Sequence, residues 1–291
     1  MIYKGYTELL KRKKMTELYE FHSHTNYTDG RDSATEMVKA AYEKGLRCYG
    51  ISEHLFCDNP AWGFMGAELD AYLDELDMLK KQYMGKMDVL IGLEVEDSEA
   101  LDFITPLQLA RTDYTIRSTH GIRVGEEDIG IDADGETLRR IVNQYFGGDW
   151  YGLIRSYYDM ESKIDPRIDY AFIGHFDLIT KFNQDDCLYR TDCDDYLEPA
   201  MEALHSLLQA EIPFEINSGA MSRGYRKEPY PSVPLLKEIK QRGGRILISS
   251  DAHRTDSICY NYDNCLKLAY DCGFRKMTIL TADGSREIPL C

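Results

Sequence analysis

The 291 residues are 43% hydrophobic and 29% charged, ordinary usage for a chain that buries roughly 75% of its unfolded surface, and this excludes a disordered, collagen-like or disulfide-scaffold polypeptide. With 34 basic against 50 acidic residues the net charge is −16, which opposes nonspecific contact with nucleic acid or an anionic membrane, so any anionic ligand needs a local positive source. No stretch reaches the roughly 18 consecutive apolar residues of a membrane span, and Met1 to Lys14 lacks the apolar core of a secretion signal, so the expected location is cytoplasmic.

In chain order, Leu18 to Phe21 reads as a first strand. Ser33-Ala34-Thr35-Glu36 is a capping box and opens a helix through Met37, Val38, Ala41 and Tyr42 to Gly45. A short apolar run, Cys48 to Ile51, follows it. Leu69, Tyr72, Leu73, Leu76, Leu79 and Tyr83 recur at helical spacing from Glu68 to Met84, Gly85 stops the pattern, and Val89-Leu90-Ile91 reads as a buried strand. Further strands are predicted at Tyr114 to Ser118, Tyr170 to Ile173, Pro213 to Ile216 and Arg245 to Ile248, with helices at Ser232 to Arg242 and Ser257 to Cys272. The glycine-, charge- and tyrosine-rich stretch from Glu126 to Asp165 reads as an excursion between strands. Seven strands alternating mostly with helices predict an α/β fold, a parallel barrel forming a single domain over 1–291.

Eight cysteines, at 48, 57, 187, 193, 259, 265, 272 and 291, include no Cys-x-x-Cys pair and read as reduced thiols, Cys57 among them despite its place three residues after His54. Asn26-Tyr27-Thr28 matches a glycosylation pattern that is idle without secretion. The strongest signal is histidine placement, because six of the seven histidines sit just after apolar strand runs. In a parallel barrel such positions converge on one mouth. The motifs are His22-Ser23-His24, Ser52-Glu53-His54, Gly92-Leu93-Glu94, Ser118-Thr119-His120, Gly174-His175-Phe176-Asp177 and Ser250-Asp251-Ala252-His253. Imidazole and carboxylate together suit Zn²⁺, Mn²⁺ or Fe²⁺, and a carboxylate such as Glu94 can bridge two ions. His205 lies in a helical pattern with Leu197, Met201, Leu204 and Leu208 and is expected to pack. Arg223 and Arg226, in the loop after the sixth strand, are candidates for holding phosphate through guanidinium forks, and strand alternation turns Arg117 away from Ser118 and His120, toward the barrel exterior.

These ordered motifs resemble the polymerase and histidinol phosphatase (PHP) superfamily of metal-dependent phosphoesterases, whose fold is a distorted seven-stranded (β/α)7 barrel. Gly174-His175-Phe176-Asp177-Leu178 with Lys181-Phe182, and Asn217-Ser218 leading to Glu228-Pro229-Tyr230-Pro231-Ser232, are most similar to its monofunctional histidinol-phosphate phosphatases. The resemblance implies two or three divalent ions (Zn, Mn or Fe). His22, His24, Glu94 and Asp251 would hold one; Glu94, His120 and His175 a second; and His54, His253 and Asp29 a third. Glu94, Asp251 and His253 would serve catalysis, Arg223 and Arg226 would bind substrate, and Glu20 and Asp177 would either orient ligating histidines or be structural or solvated carboxylates. The implied reaction is hydrolysis of L-histidinol phosphate to L-histidinol and phosphate in histidine biosynthesis. The alternatives are a phosphoesterase for another small phosphorylated metabolite or nucleotide, and a noncatalytic metal-binding module. The expected partner is a small phosphorylated metabolite, not nucleic acid or membrane, and the oligomeric state is left open.

Overall fold

A computed structural model describes residues 17–55, 66–96 and 104–290. Its centre is a sheet of seven parallel strands in the order β1 (Leu18–Glu20), β2 (Leu46–Leu55), β3 (Asp88–Val95), β4 (Tyr114–Arg117), β7 (Tyr170–Ile173), β8 (Phe214–Asn217) and β9 (Ile246–Ser249). The missing numbers are a small antiparallel hairpin, β5 (Gly121–Val124) with β6 (Glu127–Gly130), inserted after β4. Reciprocal bonds tie the ends of the sheet together, His24 N–H to the Ala252 carbonyl at 2.9 Å and Ala252 N–H to the His22 carbonyl at 3.0 Å. The sheet thereby curls into a nearly closed barrel. A second hairpin, β10 (Lys276–Thr281) with β11 (Gly284–Pro289), follows the last helix.

Both faces of the strands are covered, which is why they read as continuous apolar runs rather than alternating ones. On the outside, Ala34–Glu43 begins at the Ser33 capping box and buries Ala34, Met37, Val38 and Ala41, while Val233–Gln241 buries Leu235, Leu236 and Ile239. On the inside, the Tyr114 ring fills the barrel and its hydroxyl donates to the Phe21 carbonyl at 2.7 Å. Gly50 and Gly92 make room for it: a Cβ at either position would come within 2.3 Å of that ring or its hydroxyl. Among the described residues no helix is long and apolar enough to cross a membrane.

Two strands outrun their apolar runs. β2 continues through Ser52-Glu53-His54 and β3 through Leu93-Glu94-Val95, and their register sets His54 opposite Glu94. The excursion is the β5–β6 hairpin followed by helices Gly135–Phe146 and Trp150–Glu161, capped by Asp134 and Asp149. The helix expected over Ser257 to Cys272 starts only at Tyr262. Ahead of it Cys259 and Asn261 take positive φ, Cys259 N–H donates to Glu20 and Ser218 donates to the Tyr260 carbonyl, so tertiary bonds override local propensity there. The described cysteines, Cys48, Cys187, Cys193, Cys259, Cys265 and Cys272, are free thiols, whereas Met1 to Lys14, Cys57 and Cys291 lie outside the described residues.

Candidate metal centre

The six strand-end histidines, with Asp29, Glu94 and Asp251, meet at the C-terminal mouth of the barrel in four overlapping groups. Glu94, 1% exposed, is their hub. Its Oε1 lies 2.9 Å from His175 Nε2, 3.3 Å from His22 Nε2 and 3.5 Å from His120 Nε2. Its Oε2 lies 2.8 Å from His54 Nδ1 and 3.5 Å from His24 Nε2. Asp251 Oδ1 stands 3.4 Å from both His24 Nε2 and His253 Nδ1, and Asp29 spans His54 at 3.4 Å and His253 at 3.1 Å.

The resemblance implied ligand sets that share Glu94, and the observed groups share His22, His24 and His54 as well. His24 joins Asp29, His54 and His253; His54 also joins Glu94 and His120; His175 joins His22 and Asp251; and His22 and His24 meet at Glu94. Backbone conformation helps aim this set, since His175 and Asp251, just beyond β7 and β9, hold φ of +21° and +48°. Such conformations are costly for residues with side chains and persist where the surroundings impose them. Gly219 completes the packing, because a Cβ there would stand 2.6 Å from Asp251 Oδ2.

Electrostatics bind the cluster together. Burial favours a neutral Glu94, but His22, His54 and His120 outweigh it and hold the carboxyl well below its usual range. Asp251 is likewise depressed, because Arg223 and His22 overcome the cost of burial. In return the carboxylates Glu215, Glu94 and Asp251 raise buried His22 well above an ordinary imidazole. A site that draws protons onto buried histidines to balance its carboxylates is one where divalent cations can do the balancing instead.

The donor atoms fit such ions. Ligands about 2.0–2.2 Å from a shared ion stand roughly 3–3.5 Å from one another. The Nε2 atoms of His22 and His24 are fully buried and form no hydrogen bond, yet carboxylate oxygens sit at 3.3–3.5 Å from them.

The carboxylate that orients this set is one that sequence reasoning passed over. Glu215, on β8 and fully buried, accepts from His22 Nδ1 at 2.7 Å and from the His175 N–H at 2.6 Å, and is itself fixed by Asn217 Nδ2 at 2.9 Å and by the Ser249 hydroxyl. Holding the proton on His22 Nδ1 turns the Nε2 lone pair toward Glu94. Glu53 acts similarly on the loop carrying Asp29, accepting from the Thr25 N–H at 2.8 Å and from the hydroxyls of Thr25 and Thr28. Glu96 accepts from the His120 N–H at 2.8 Å. The only available signal was the presence of carboxylates inside otherwise apolar strand runs.

Of the roles open to Glu20 and Asp177, the structure shows the structural one. Glu20 accepts from the N–H and hydroxyl of Ser250 and from the N–H groups of His22 and Cys259, which closes the barrel seam, and burial pushes its carboxyl up to about 7. Asp177 accepts from the hydroxyls of Tyr158 and Tyr196 and anchors Ser232 N–H. Both are spent on the scaffold. His205, expected to be partly buried in a packing role, is partly buried and pairs with Glu238 at 2.7 Å.

Arg223 adjoins the cluster, donating through Nη2 to Asp251 Oδ2 at 3.0 Å, with Nη1 3.0 Å from His253 Nδ1. Arg226 stands further out: its Nη1 donates to the carbonyl and hydroxyl of Thr180, and its guanidinium lies 4.9 Å from the Tyr230 ring centroid. Arg117 turns outward, as alternation predicts, onto the helix Trp150–Glu161.

Known proteins resemble this chain over most of its length. A probable histidinol-phosphatase of Deinococcus radiodurans is 26% identical over 279 residues, covering 91% of this chain and 97% of that protein. A solved structure from Listeria monocytogenes superposes with a TM-score of 0.73 at 20% identity, over 85% of this chain and 99% of the other. Histidinol phosphate phosphatase of Lactococcus lactis, solved with zinc, L-histidinol and phosphate, gives a TM-score of 0.67 at 20% identity, over 92% and 98% of the two chains. Residues 20–219, which run from the seam carboxylate Glu20 to Gly219 beside Asp251 and carry seven of the nine clustered side chains, match the PHP domain, and the chain therefore belongs to the PHP domain family.

Proposed function

We propose that this chain is a divalent-metal-dependent phosphomonoesterase, a single catalytic domain over 1–291 working in the cytoplasm, that hydrolyses L-histidinol phosphate to L-histidinol and phosphate in histidine biosynthesis. The observation that carries the reading is the Glu94 hub: one buried carboxylate facing five imidazoles, a donor set that would hold divalent ions. The names of its full-length relatives and the L-histidinol and phosphate bound by the Lactococcus lactis enzyme support the substrate.

In this proposal His22, His24, Asp29, His54, Glu94, His120, His175, Asp251 and His253 hold two or three ions of zinc, manganese or iron. When bound, such ions acidify water and neutralise phosphoryl charge. The chain's own contribution is placement. Glu215 fixes the His22 tautomer, Glu94 gathers the rings, and Asp251 holds the Arg223 guanidinium against the cluster, where it can take phosphoryl oxygens. Arg226 is the second phosphate candidate, with Nη2 as the donor left over from its bonds to Thr180. The positive charge needed by an anionic substrate is thus confined to the mouth of a protein of net charge −16.

The test is phosphate release by chelator-stripped protein reloaded with Zn²⁺, Mn²⁺ or Fe²⁺, using L-histidinol phosphate beside phosphoserine, nucleotides and sugar phosphates. A preference of about 100-fold in kcat/KM, about 2.7 kcal/mol of transition-state discrimination, is expected for L-histidinol phosphate. A flat profile moves the substrate elsewhere in the family, and no hydrolysis with any metal removes the enzyme reading.

A further inference from the structure

Two donors at the barrel mouth are buried without an acceptor among the described residues, the Tyr230 hydroxyl and Arg223 Nε. Tyr230 is fully buried. Its backbone is pinned to the end of β8 by reciprocal 2.9 Å bonds with Asn217, and its ring centroid lies 6.5 Å from that of His175. The Arg226 guanidinium covers the ring at 4.9 Å. The carboxylate of Asp132 pairs with Lys181, whose Nζ is 2.7 Å from its Oδ1, and accepts a hydrogen bond from neither donor. Asp251, the other carboxylate beside Arg223, accepts from Nη2 and leaves Nε uncommitted.

Burying a hydroxyl that donates to nothing costs stability, so such groups call for an explanation. Phenylalanine would fill the same space without that cost. Unused donors on a tyrosine and a guanidinium beside a metal-type cluster are complementary to an oxyanion, which accepts several hydrogen bonds at once.

We propose that Tyr230 is a substrate-binding residue, its hydroxyl donating to a phosphoryl oxygen while Arg223 Nε donates to the same group. The inference rests on the phosphomonoesterase reading and adds a neutral donor from the Glu228-Pro229-Tyr230-Pro231-Ser232 segment, to which the sequence assigned no chemistry.

The experiment compares the zinc-loaded natural chain with Tyr230→Phe, measuring inorganic phosphate affinity by calorimetry, zinc content, thermal midpoint without phosphate, and kinetics on L-histidinol phosphate. The variant is expected to keep its zinc, to melt at the same temperature or higher, and to bind phosphate about 10- to 100-fold more weakly, the range for a hydrogen bond to a charged group. Phosphate affinity within twofold of the natural chain overturns the proposal. So does a lowered midpoint with unchanged affinity, which makes the hydroxyl a packing element, or a natural chain that binds no phosphate. The two readings fail separately. If Tyr230 governs phosphate binding but L-histidinol phosphate is not hydrolysed, the substrate assignment falls and the anion site stands. If the variant turns L-histidinol phosphate over with unchanged kcat and KM, Tyr230 loses its role and the enzyme reading stands.

Discussion

Two buried clusters of charge lie on either side of the end of β4, and they differ in which groups converge in them. On the outer side, Arg117 is 4% exposed and spends its guanidinium entirely within the chain. Nε donates to the Lys163 carbonyl at 2.9 Å, Nη2 to the Met160 carbonyl at 2.8 Å, and Nη1 to the Ser118 carbonyl and to the Thr119 hydroxyl at 2.6 Å. It fastens the excursion helix to the barrel. Glu161 beside it is 1% exposed, and burial pushes its carboxyl up to about 7 against the attraction of Arg117. On the inner side, His120 and five other imidazoles converge on three carboxylates while the Nε2 atoms of His22 and His24 stay uncommitted. Buried charge alone therefore does not mark a functional site. Nor does unused bonding capacity, since both Glu161 carboxylate oxygens are also buried without a hydrogen-bond partner; what marks the inner site is the convergence of six imidazoles on three carboxylates at ligand spacing.

The comparison predicts opposite phenotypes. The largest effect is expected from Glu94→Ala, which should lower kcat/KM by at least 1,000-fold, about 4 kcal/mol, and strip bound zinc while far-UV circular dichroism stays native. Near-natural turnover would break the inner half of the contrast.

The outer cluster should answer through stability instead. The Glu161 carboxyl is raised from 4.5 in the unfolded chain to about 7 in the fold, so the folded state holds its proton more tightly. The stability this contributes is complete below pH 4.5 and is lost as pH rises through 7, a change of about 3 kcal/mol. Glu20 titrates over the same window, so the natural chain carries the sum of the two. Glu161→Gln should remove one share and flatten urea-unfolding stability between pH 5 and 8 with kcat nearly unchanged. An unaltered pH slope would show that Glu161 is ionised in the fold.

The smallest effect sharpens the boundary between the clusters. Glu215→Gln keeps the shape of the carboxylate that orients His22 and His175 but loses its charge, and metal affinity should fall about 10- to 100-fold in a zinc-competition titration. Natural affinity would move Glu215 to the scaffold group, with Glu20 and Asp177.

Much of the barrel was legible because a parallel strand buried on both faces writes itself as a run such as Val89-Leu90-Ile91, and all seven runs lie on central strands. Boundaries were less legible. Ser52-Glu53-His54 falls after the apolar run Cys48 to Ile51, yet it is strand, because the polar mouth of the barrel rather than the helical layer receives those side chains. The β10–β11 hairpin drew no expectation from the sequence, and Ser257 to Cys272 reads as one helix because the bonds that break it come from Glu20 and Ser218.

By itself the sequence determined the seven barrel strands, their parallel sense and the ligand-type residues at their ends, since burial and the βα period act on neighbours along the chain. Only the tertiary structure decided which carboxylates serve chemistry. Glu20, Asp177 and Glu215 look alike as acidic residues in or beside strand runs, and their roles part only in space. Glu215 meets a ring 193 positions away, Glu20 seals a seam 230 positions away, and Asp177 props up two tyrosines. Tyr230 is of the same kind: its hydroxyl stands out only once the partners it lacks can be counted. Hydrogen bonding is directional and short-ranged, so it is settled by where distant segments come to rest and not by the order in which they are written.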